Sequence, residues 1–272
     1  MKPGIYHDLF IQDYHASPGV SSSVLAEMHR SPAHAKALHD KPPTPAMKLG
    51  THWHDVIALG ADEWLRSVYV LPEDHDGRTK EGKSRLAEVA ERGIEAVKHG
   101  DAARVVAMRR ALDDLEIDGV QIADLLASGR QEVSRYWIDE PTGELVKCRP
   151  DLEVERAKIV LDWKSCDDAR PEAFERSALR YRYAERAALY LDGCQLTGLD
   201  ADLFVWVAVE SAAPHAAMTY WAAREDAILR KGRCAYRKHL DKWHECVTSG
   251  KWPGYEVICQ PLNEPKWAQE EE

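Results

Sequence analysis

The sequence has no run of about eighteen apolar residues, and its first ten residues, MKPGIYHDLF, carry charged and polar side chains where a signal peptide has an apolar stretch. Both absences predict a cytoplasmic protein with no membrane contact. No two cysteines have the CxxC spacing of a zinc ribbon, and all six lie scattered between positions 148 and 259. We therefore expect free thiols and no disulfide framework. The sequence also lacks internal repeats and low-complexity segments.

Basic residues are in the minority, since 36 Lys and Arg stand against 46 Asp and Glu, for a formal net charge of -10. A protein that binds nucleic acid usually carries a basic excess, so this balance argues against a uniformly basic surface. It does not exclude a nucleic-acid partner, because an acidic metal pocket and a local basic track would cancel in the sum.

Hydrophobic periodicity predicts that the 272 residues fold as a single α/β domain. The first part, 1–130, should be mostly helical, with helices at 21–38 (interrupted at Pro32), 46–59, 86–99 and 102–115 and a strand at 66–71. The second part, 131–272, should contain a hairpin of strands 132–138 and 144–148, further strands at 158–163, 203–209 and 218–221, and helices at 172–191 and 224–249. This order predicts a central mixed β-sheet flanked by helices, with an N-terminal helical elaboration.

Asp162 and Lys164 lie two positions apart on a predicted strand, so both side chains should leave one face of the sheet while Trp163 points to the other. Asp151 follows the end of the preceding hairpin strand. Neighbouring strands lie about 4.8 Å apart, so the two carboxylates and the ammonium group can converge on one hydrated cation.

A hard divalent cation held by Asp151 and Asp162 would supply what hydrolysis of a phosphodiester needs, an activated water and an electrophile for the phosphate oxygens. Mg²⁺ suits a site with few carboxylates and several waters, and Mn²⁺ should substitute for it. Lys164 could orient the attacking water, assist its deprotonation or stabilise the transition state, and the sequence leaves these three roles open.

Four segments resemble motifs of RecB-type and RecE-type nucleases: GTHWH at 50–54, CRPD at 148–151, LDWKS at 161–165 and YRYAERAALYLDG at 181–193. Both ends of the chain, YHASPGVSSSVLAEMHRSPAH and SGKWPGYEVICQPLNEPKWA, are similar to the ends of the RecE exonuclease domain, also called exonuclease VIII. The resemblance implies a PD-(D/E)xK restriction-endonuclease-like core. It further implies a magnesium-dependent exodeoxyribonuclease that digests double-stranded DNA from its ends.

The resemblance assigns Asp151, Asp162, Lys164 and Glu132 to catalysis, and His54, Asp151, Asp162 and Trp163 to the metal site. His52 lies two positions before His54, roughly 200° around the helix, and should not face the same site. Glu132 resembles an accessory acid that binds the metal through water, although a solvated glutamate at the start of a strand would look the same. Gly50 would permit a close approach of its helix to the sheet.

The family commonly has QxxxY on the helix after the DxK strand, and this chain has Arg186 and Tyr190 there. Arginine still offers planar donors to phosphate. Two basic segments are candidate DNA tracks or solvated faces: Arg176, Arg180, Arg182 and Arg186, with Arg176 able to pair with Glu172, and Arg78, Lys80, Lys83 and Arg85. Ser23 resembles a serine that helps to bind a 5′-terminal phosphate, and a helix N-cap would explain it equally well.

The resemblance also implies 5′ to 3′ polarity, a ring-shaped homo-oligomer that encircles DNA, and a RecT-like single-strand annealing protein as partner in phage-type recombination. Two alternatives stay open, an endonuclease of the same fold and an inactive DNA-binding module. An iron–sulfur nuclease is excluded, because it needs a cysteine before the GxxxH helix and none precedes position 148.

Overall fold

The structure is a computed structural model that describes residues 1–38, 43–256, 259 and 261–262. The first part of the chain contains β1 (Gly4–Tyr6), α1 (Ile11–Ala16), α2 (Ser22–Glu27), α3 (Pro32–Lys36), α4 (Pro45–Leu59), α5 (Ala61–Ser67), β2 (Val68–Val70), α6 (Lys80–Glu91), β3 (Glu95–Val97), α7 (His99–Arg110), β4 (Glu116–Ile117), β5 (Val120–Gln121) and α8 (Ile122–Ser128). The second part contains β6 (Arg130–Gln131), β7 (Ser134–Ile138), β8 (Leu145–Cys148), β9 (Leu152–Val154), β10 (Ile159–Cys166), α9 (Pro171–Arg180), α10 (Tyr183–Leu196), β11 (Leu203–Glu210), β12 (Ala217–Ala223) and α11 (Ala227–Ser249).

The central sheet is mixed and has the strand order β12-β11-β10-β9-β6. Its long middle strands β10 and β11 run parallel, and each has an antiparallel partner on its outer side. The apolar runs IVLDWKSC and LFVWVAVE explain this placement, because strands buried on both faces read as nearly continuous hydrophobic stretches. A second sheet of three strands has the order β1-β7-β8.

The hairpin passes from the small sheet into the central sheet. One arm of the hairpin consists of β6 and β7, and the other consists of β8 and β9. Each arm is interrupted between its two strands, at 132–133 and at 149–151. The N–H of Glu132 donates to the carbonyl oxygen of Asp151 at 3.2 Å, so the two arms stay paired across the break. Glu132 has φ 54°, a left-handed conformation that is unusual for a residue other than glycine. The bend therefore lies where Glu132 and Asp151 face each other.

Two hydrophobic cores lie on opposite faces of the central sheet, and β10 contributes to both by alternation. Val160 packs into the first core, with residues of α2, α10 and α11. Leu161 and Trp163 pack into the second core, with residues of α4, α7 and α8. Each fully buried large apolar side chain contributes roughly 1.5 to 3 kcal/mol. The middle strand is thereby held between two helical layers.

Helices α10 and α11 pack so closely that one glycine is required. A Cβ at Gly232 of α11 would lie 2.3 Å from the carbonyl oxygen of Ala184. Asp192 of α10 fastens the same pair of helices, because its carboxylate accepts from Nε of Arg233 at 2.8 Å and from the hydroxyl of Tyr236 at 2.5 Å. Both contacts position α10, which covers the first core.

Most predicted elements of the second part are confirmed, as are the helix at 46–59 and the free state of all six cysteines. The helix predicted over 172–191 is wrong in one respect, because it breaks at Tyr181 and Arg182 into α9 and α10, and Arg182 has φ 60°. The connection predicted at 152–157 contains the short strand β9, and the predicted strand 66–71 is helical up to Ser67. The predicted helix 86–99 covers the end of α6 and the strand β3. No helix in the described part of the chain combines the length and the apolarity that crossing a bilayer needs.

Candidate active site

The bend of the hairpin is the centre of the candidate active site, and two other segments meet it. Glu132 and Asp151 come from the two breaks in the hairpin, and His54 comes from α4. Asp162 and Lys164 come from the neighbouring strand β10. The prediction that these five residues share one site agrees with their contacts, although their roles stay predictions.

His54, Glu132 and Asp151 form a cluster that could hold a metal ion. Nδ1 of His54 lies 3.6 Å from Oδ1 of Asp151 and 3.8 Å from Oε1 of Glu132. One ligand atom from each residue lies within 4.8 Å of the other two. An imidazole nitrogen and two carboxylates at this spacing are a donor set that divalent cations accept.

Asp162 and Lys164 pair on one face of β10, as their spacing predicts. Their side chains are only 3% and 10% exposed, and Oδ2 of Asp162 forms an ion pair with Nζ of Lys164. That oxygen is buried, and the ammonium group of Lys164 is its counter-charge.

Trp163 joins the two carboxylates through its main chain. Its N–H donates to Oδ2 of Asp151 at 2.6 Å, and its carbonyl oxygen accepts from Nζ of Lys164 at 3.2 Å. The indole packs in the second core, on the opposite face of the sheet from Asp162 and Lys164. Only the main-chain atoms of Trp163 therefore reach the site that the resemblance assigned to it.

Burial and the neighbouring charges shift the pKa values of the three cluster residues in different directions. Burial, together with the charge of Asp162, raises the pKa of Asp151 to about 6. Burial disfavours the protonated ring of His54, but the carboxylates of Asp151 and Glu132 outweigh this and raise its pKa to about 9. Burial also opposes ionisation of Glu132, yet its contacts with His54 and Arg149 lower its pKa. Carboxylates crowded in this way are typical of functional sites.

Glu132 is not a solvated residue at the start of a strand. It lies between β6 and β7, and its Oε2 accepts from Nε of Arg149 at 2.6 Å. Arg149 also donates to the carbonyl oxygen of Leu9 at 2.8 Å and to the hydroxyl of Ser134 at 2.6 Å. Sequence reasoning missed Arg149, although it stands inside the CRPD segment. Its guanidinium holds the carboxylate of Glu132 at the bend.

The two histidines of α4 point to different surroundings. His52 is buried near the ring of Trp64, and its Nε2 lies 3.7 Å from Oε1 of Glu95. His54 instead faces the bend of the hairpin. Gly50 faces Ser165 of β10, but the approach of α4 to the sheet there does not require glycine, because a Cβ would meet only Oγ of Ser165 at an ordinary 3.8 Å.

Arg186 and Tyr190 lie on α10 above the acidic pair. Burial disfavours the charged form of Arg186, but Tyr190, Asp162 and Asp151 outweigh this effect and raise its pKa. The guanidinium of Arg186 forms no hydrogen bond or ion pair with any other described residue, so its donors are available. Sequence reasoning missed Tyr183, whose ring lies 5.3 Å from Nζ of Lys164 and shields that ammonium group.

The two basic segments differ in how much of their charge is already paired. Arg182, at the start of α10, shares a crevice with Arg186, and Arg176 and Arg180 are exposed. Within the described residues Arg176 forms no ion pair with Glu172. In the second segment, Arg78 pairs with Asp76 and Arg85 with Glu81. Lys80 and Lys83 are exposed and form no ion pair with a described residue. The second segment is the weaker candidate for a DNA track.

Ser23 is exposed in the first turn of α2. The N-cap of this helix is Ser21, whose hydroxyl accepts from the N–H of Val24 at 3.4 Å. The N-cap explanation of Ser23 is therefore wrong, and its part in binding a 5′ phosphate stays a prediction.

Comparison with known proteins agrees with this fold. The crystal structure of a protein from Eubacterium rectale named "putative exonuclease" superposes with a TM-score of 0.61 at 12% identity, over 95% of this chain and 96% of that one. A phage-related exonuclease from Haemophilus somnus aligns with a TM-score of 0.37 at 10% identity, over 84% of this chain and 95% of that one. None of the curated proteins matches the chain significantly. Residues 21–265 match the family described as a PDDEXK-like domain of unknown function, DUF3799, and the chain therefore belongs to that family and has the PD-(D/E)xK fold.

Proposed function

We propose that this chain is a metal-dependent exodeoxyribonuclease that hydrolyses double-stranded DNA from its ends. The observation that carries the proposal is the meeting of Asp151, Asp162 and Lys164 with His54 and Glu132 at one bend of a PD-(D/E)xK chain. The name of the similar protein from Eubacterium rectale supports the exonuclease part of the proposal.

The donor set fits Mg²⁺, with Mn²⁺ as a substitute. Asp151 and Asp162 are buried, and the charge of Asp162 helps to raise the pKa of Asp151. Carboxylate oxygens are the ligands that Mg²⁺ prefers, and the ring of His54 makes Mn²⁺ equally acceptable. A bound divalent cation would neutralise charge on the phosphate oxygens and lower the pKa of a coordinated water.

Lys164 has one proton left for the substrate. An ammonium group carries three donors, and Lys164 directs one to Asp162 and one to the carbonyl oxygen of Trp163. The third can orient a water or bind a phosphate oxygen. The ring of Tyr183 beside the ammonium group restricts access of bulk water, which strengthens such a contact.

Arg186 is the residue best placed to bind the phosphate beside the metal site. Its guanidinium is half-buried, feels the charges of Asp151 and Asp162, and has no partner of its own in the described chain. Guanidinium groups bind phosphate through two parallel hydrogen bonds. We propose that Arg186 takes over the contact that the glutamine of the family's QxxxY motif makes.

The decisive experiment compares linear and covalently closed circular duplexes, with Mg²⁺ and with a chelator, using Asp162→Asn as the inactive control. We expect mononucleotides from the linear duplex alone, only with the metal, and none from the control variant. Cleavage of the circle would identify an endonuclease. Binding of duplex without cleavage under any metal would identify an inactive DNA-binding module. Either result would overturn the proposal.

We further propose 5′ to 3′ digestion, a ring-shaped oligomer and a RecT-like annealing partner, all of which rest on the resemblance alone. Duplexes labelled at one end of each strand test the polarity, because the 5′ label should be released first. Ser23→Ala should reduce a preference for 5′-phosphorylated ends by about fivefold, the equivalent of one hydrogen bond of about 1 kcal/mol. Light scattering of the purified protein tests the ring.

A further inference from the structure

A second cluster of metal-ligating side chains lies outside the candidate active site, where three segments of the chain meet. His29 follows α2, Glu185 lies in the first turn of α10, and His239 lies in the middle of α11. Nε2 of His29 is 2.9 Å from both carboxylate oxygens of Glu185. Nδ1 of His239 is 3.8 Å from Oε2 of Glu185. One ligand atom from each residue lies within 4.8 Å of the other two.

Glu185 and His239 are largely withdrawn from solvent, each with a side chain 13% exposed, whereas His29 lies at the exposed edge of the cluster. The centroids of the two imidazole rings lie 4.1 Å apart and the ring planes are at 72° to each other, so a nitrogen of each ring can face the same carboxylate. Nδ1 of His239 is buried and has no hydrogen-bond partner among the described residues. A buried ring nitrogen that faces a carboxylate beyond hydrogen-bond distance is unfavourable unless another group completes it.

The distances fit a metal ion between these atoms. Zinc binds imidazole nitrogen and carboxylate oxygen at about 2.0 to 2.2 Å, and tetrahedral geometry then separates two such ligand atoms by roughly 3.3 Å. The separation of His239 and Glu185 is 3.8 Å and that of His29 and Glu185 is 2.9 Å, on either side of this value. Small rotations of the side chains would bring both separations to the value for a tetrahedral site.

We propose that His29, Glu185 and His239 bind one transition-metal ion of the zinc type, with water at the remaining position. Two imidazoles and one carboxylate are a donor set for zinc, whereas the carboxylate-rich cluster at the hairpin suits Mg²⁺. The ion would join the segment after α2 to both α10 and α11. It would therefore cross-link the N-terminal helices to the first core.

The experiment uses the full chain with two active-site ligands removed, His54→Ala and Asp151→Asn, so that zinc binding there is weakened. Asparagine keeps an oxygen that can accept from the N–H of Trp163. After removal of metal with a chelator, zinc chloride is titrated by calorimetry and the melting temperature is measured. We expect one zinc per chain and a rise of roughly 5 to 10 °C when free zinc exceeds Kd about a hundredfold. Co²⁺ in place of zinc should give the visible absorption of a tetrahedral site.

Two variants in this background remove ligands, and a third provides a matched control. His239→Ala and His29→Gln should each abolish the bound zinc and the rise in melting temperature, and His29→Gln keeps the test valid if His239→Ala does not fold. His244→Ala is the control, because His244 also lies on α11 and pairs with Glu144 at 2.9 Å, but without a second histidine. This control should bind zinc as the background does. Absence of zinc binding in the background, or unchanged binding in both ligand variants, would overturn the proposal.

Discussion

Two groups of buried charges lie side by side on the hairpin and differ in how completely they are paired. The two carboxylate oxygens of Glu153 in β9 each accept one hydrogen bond from Arg135, from Nε at 2.6 Å and from Nη2 at 2.7 Å. Arg135 directs its remaining nitrogen to the hydroxyl of Thr197 at 2.7 Å. Two positions earlier, Asp151 receives one main-chain N–H and faces His54 at 3.6 Å. The charges of the first group are fully paired within the protein, and the charge of Asp151 is not.

This difference separates a structural charge pair from a functional one. Arg135 and Glu153 are almost fully buried, and so are Asp151 and Asp162, so burial alone does not distinguish a paired carboxylate from an unpaired one. The pair of Arg135 and Glu153 ties β7 of the small sheet to β9 of the central sheet. The carboxylates of Asp151 and Asp162 instead repel each other, which helps to raise the pKa of Asp151. Proteins tolerate such repulsion where a ligand or cation relieves it.

The largest effect should follow replacement of a carboxylate in the incomplete group. Asp151→Asn removes a metal-binding charge but keeps the size and one oxygen of the side chain. We expect nuclease activity on linear duplex to fall on the order of a thousandfold or more, about 4 kcal/mol of barrier. The melting temperature without metal should stay equal or rise. A variant that keeps wild-type activity after metal is titrated back would contradict the assignment.

Glu153→Gln should have the opposite pattern, because it leaves the buried guanidinium of Arg135 without its counter-charge. Breaking a buried pair lowers the free energy of unfolding by about 3 to 5 kcal/mol. Urea denaturation measures this loss, and activity per folded molecule at low temperature should match that of the wild type. The double variant Arg135→Met, Glu153→Leu is the control and should recover most of the stability. Equal losses of stability in Glu153→Gln and Asp151→Asn would remove the distinction between the two groups.

The pH dependence of stability sharpens the same contrast. Asp151 has a pKa of about 6 in the folded protein and 3.8 ordinarily, so the folded state binds more protons between these values. Its contribution to stability is therefore present below about pH 4 and is lost as the pH rises through 6. Without metal, Asp151→Asn should be more stable than the wild type by at most about 3 kcal/mol at pH 7.5. The difference should shrink at pH 5, and a difference that grows on acidification would contradict the sign.

One part of the candidate site could be predicted from the residues themselves, because its logic is local. Two positions on a strand share a face whatever the rest of the fold does, so the pairing of Asp162 with Lys164 follows from spacing alone. Helix α4 and strands β10 and β11 are long and strongly patterned, and their existence follows from periodicity. What the sequence could not show is which buried acid is fully paired, since Glu153 meets Arg135 only through the fold.

Two of the breaks that the sequence missed lie at residues with unexpected backbone conformations. The bend of the hairpin lies at Glu132 and the break between α9 and α10 at Arg182, and both have a positive φ without being glycine. Such conformations cost about 1 to 3 kcal/mol and persist only where other contacts impose them. At Glu132 the contact is Arg149, which is 17 residues away. A reading of turn residues would have placed both breaks at Gly or Pro, and neither is there.

A smaller effect should distinguish the two histidines of α4. His54→Ala removes a donor from the candidate metal cluster, so the Mg²⁺ concentration for half-maximal activity should rise on the order of tenfold, about 1.4 kcal/mol. His52→Ala should leave this concentration within about twofold, because His52 faces Glu95 and Trp64. It should instead lower stability by about 1 to 2 kcal/mol through lost packing. Equal shifts in metal dependence would mean that the metal lies elsewhere.

The smallest effect should come from the arginines, where an unpaired guanidinium is contrasted with a paired one. Arg186→Met removes the free donors near Asp151 and Asp162, so the salt dependence of duplex binding, measured without metal, should lose about one phosphate contact. Arg186→Gln restores the family's glutamine and should keep kcat/KM within about tenfold of the wild type. Arg85→Gln is the control, because Arg85 already pairs with Glu81 at 3.3 Å and its charge is neutralised locally. If Arg85→Gln reduced the salt slope as much as Arg186→Met, the DNA would follow the track along α6 and the paired arginine would exchange its partner for phosphate.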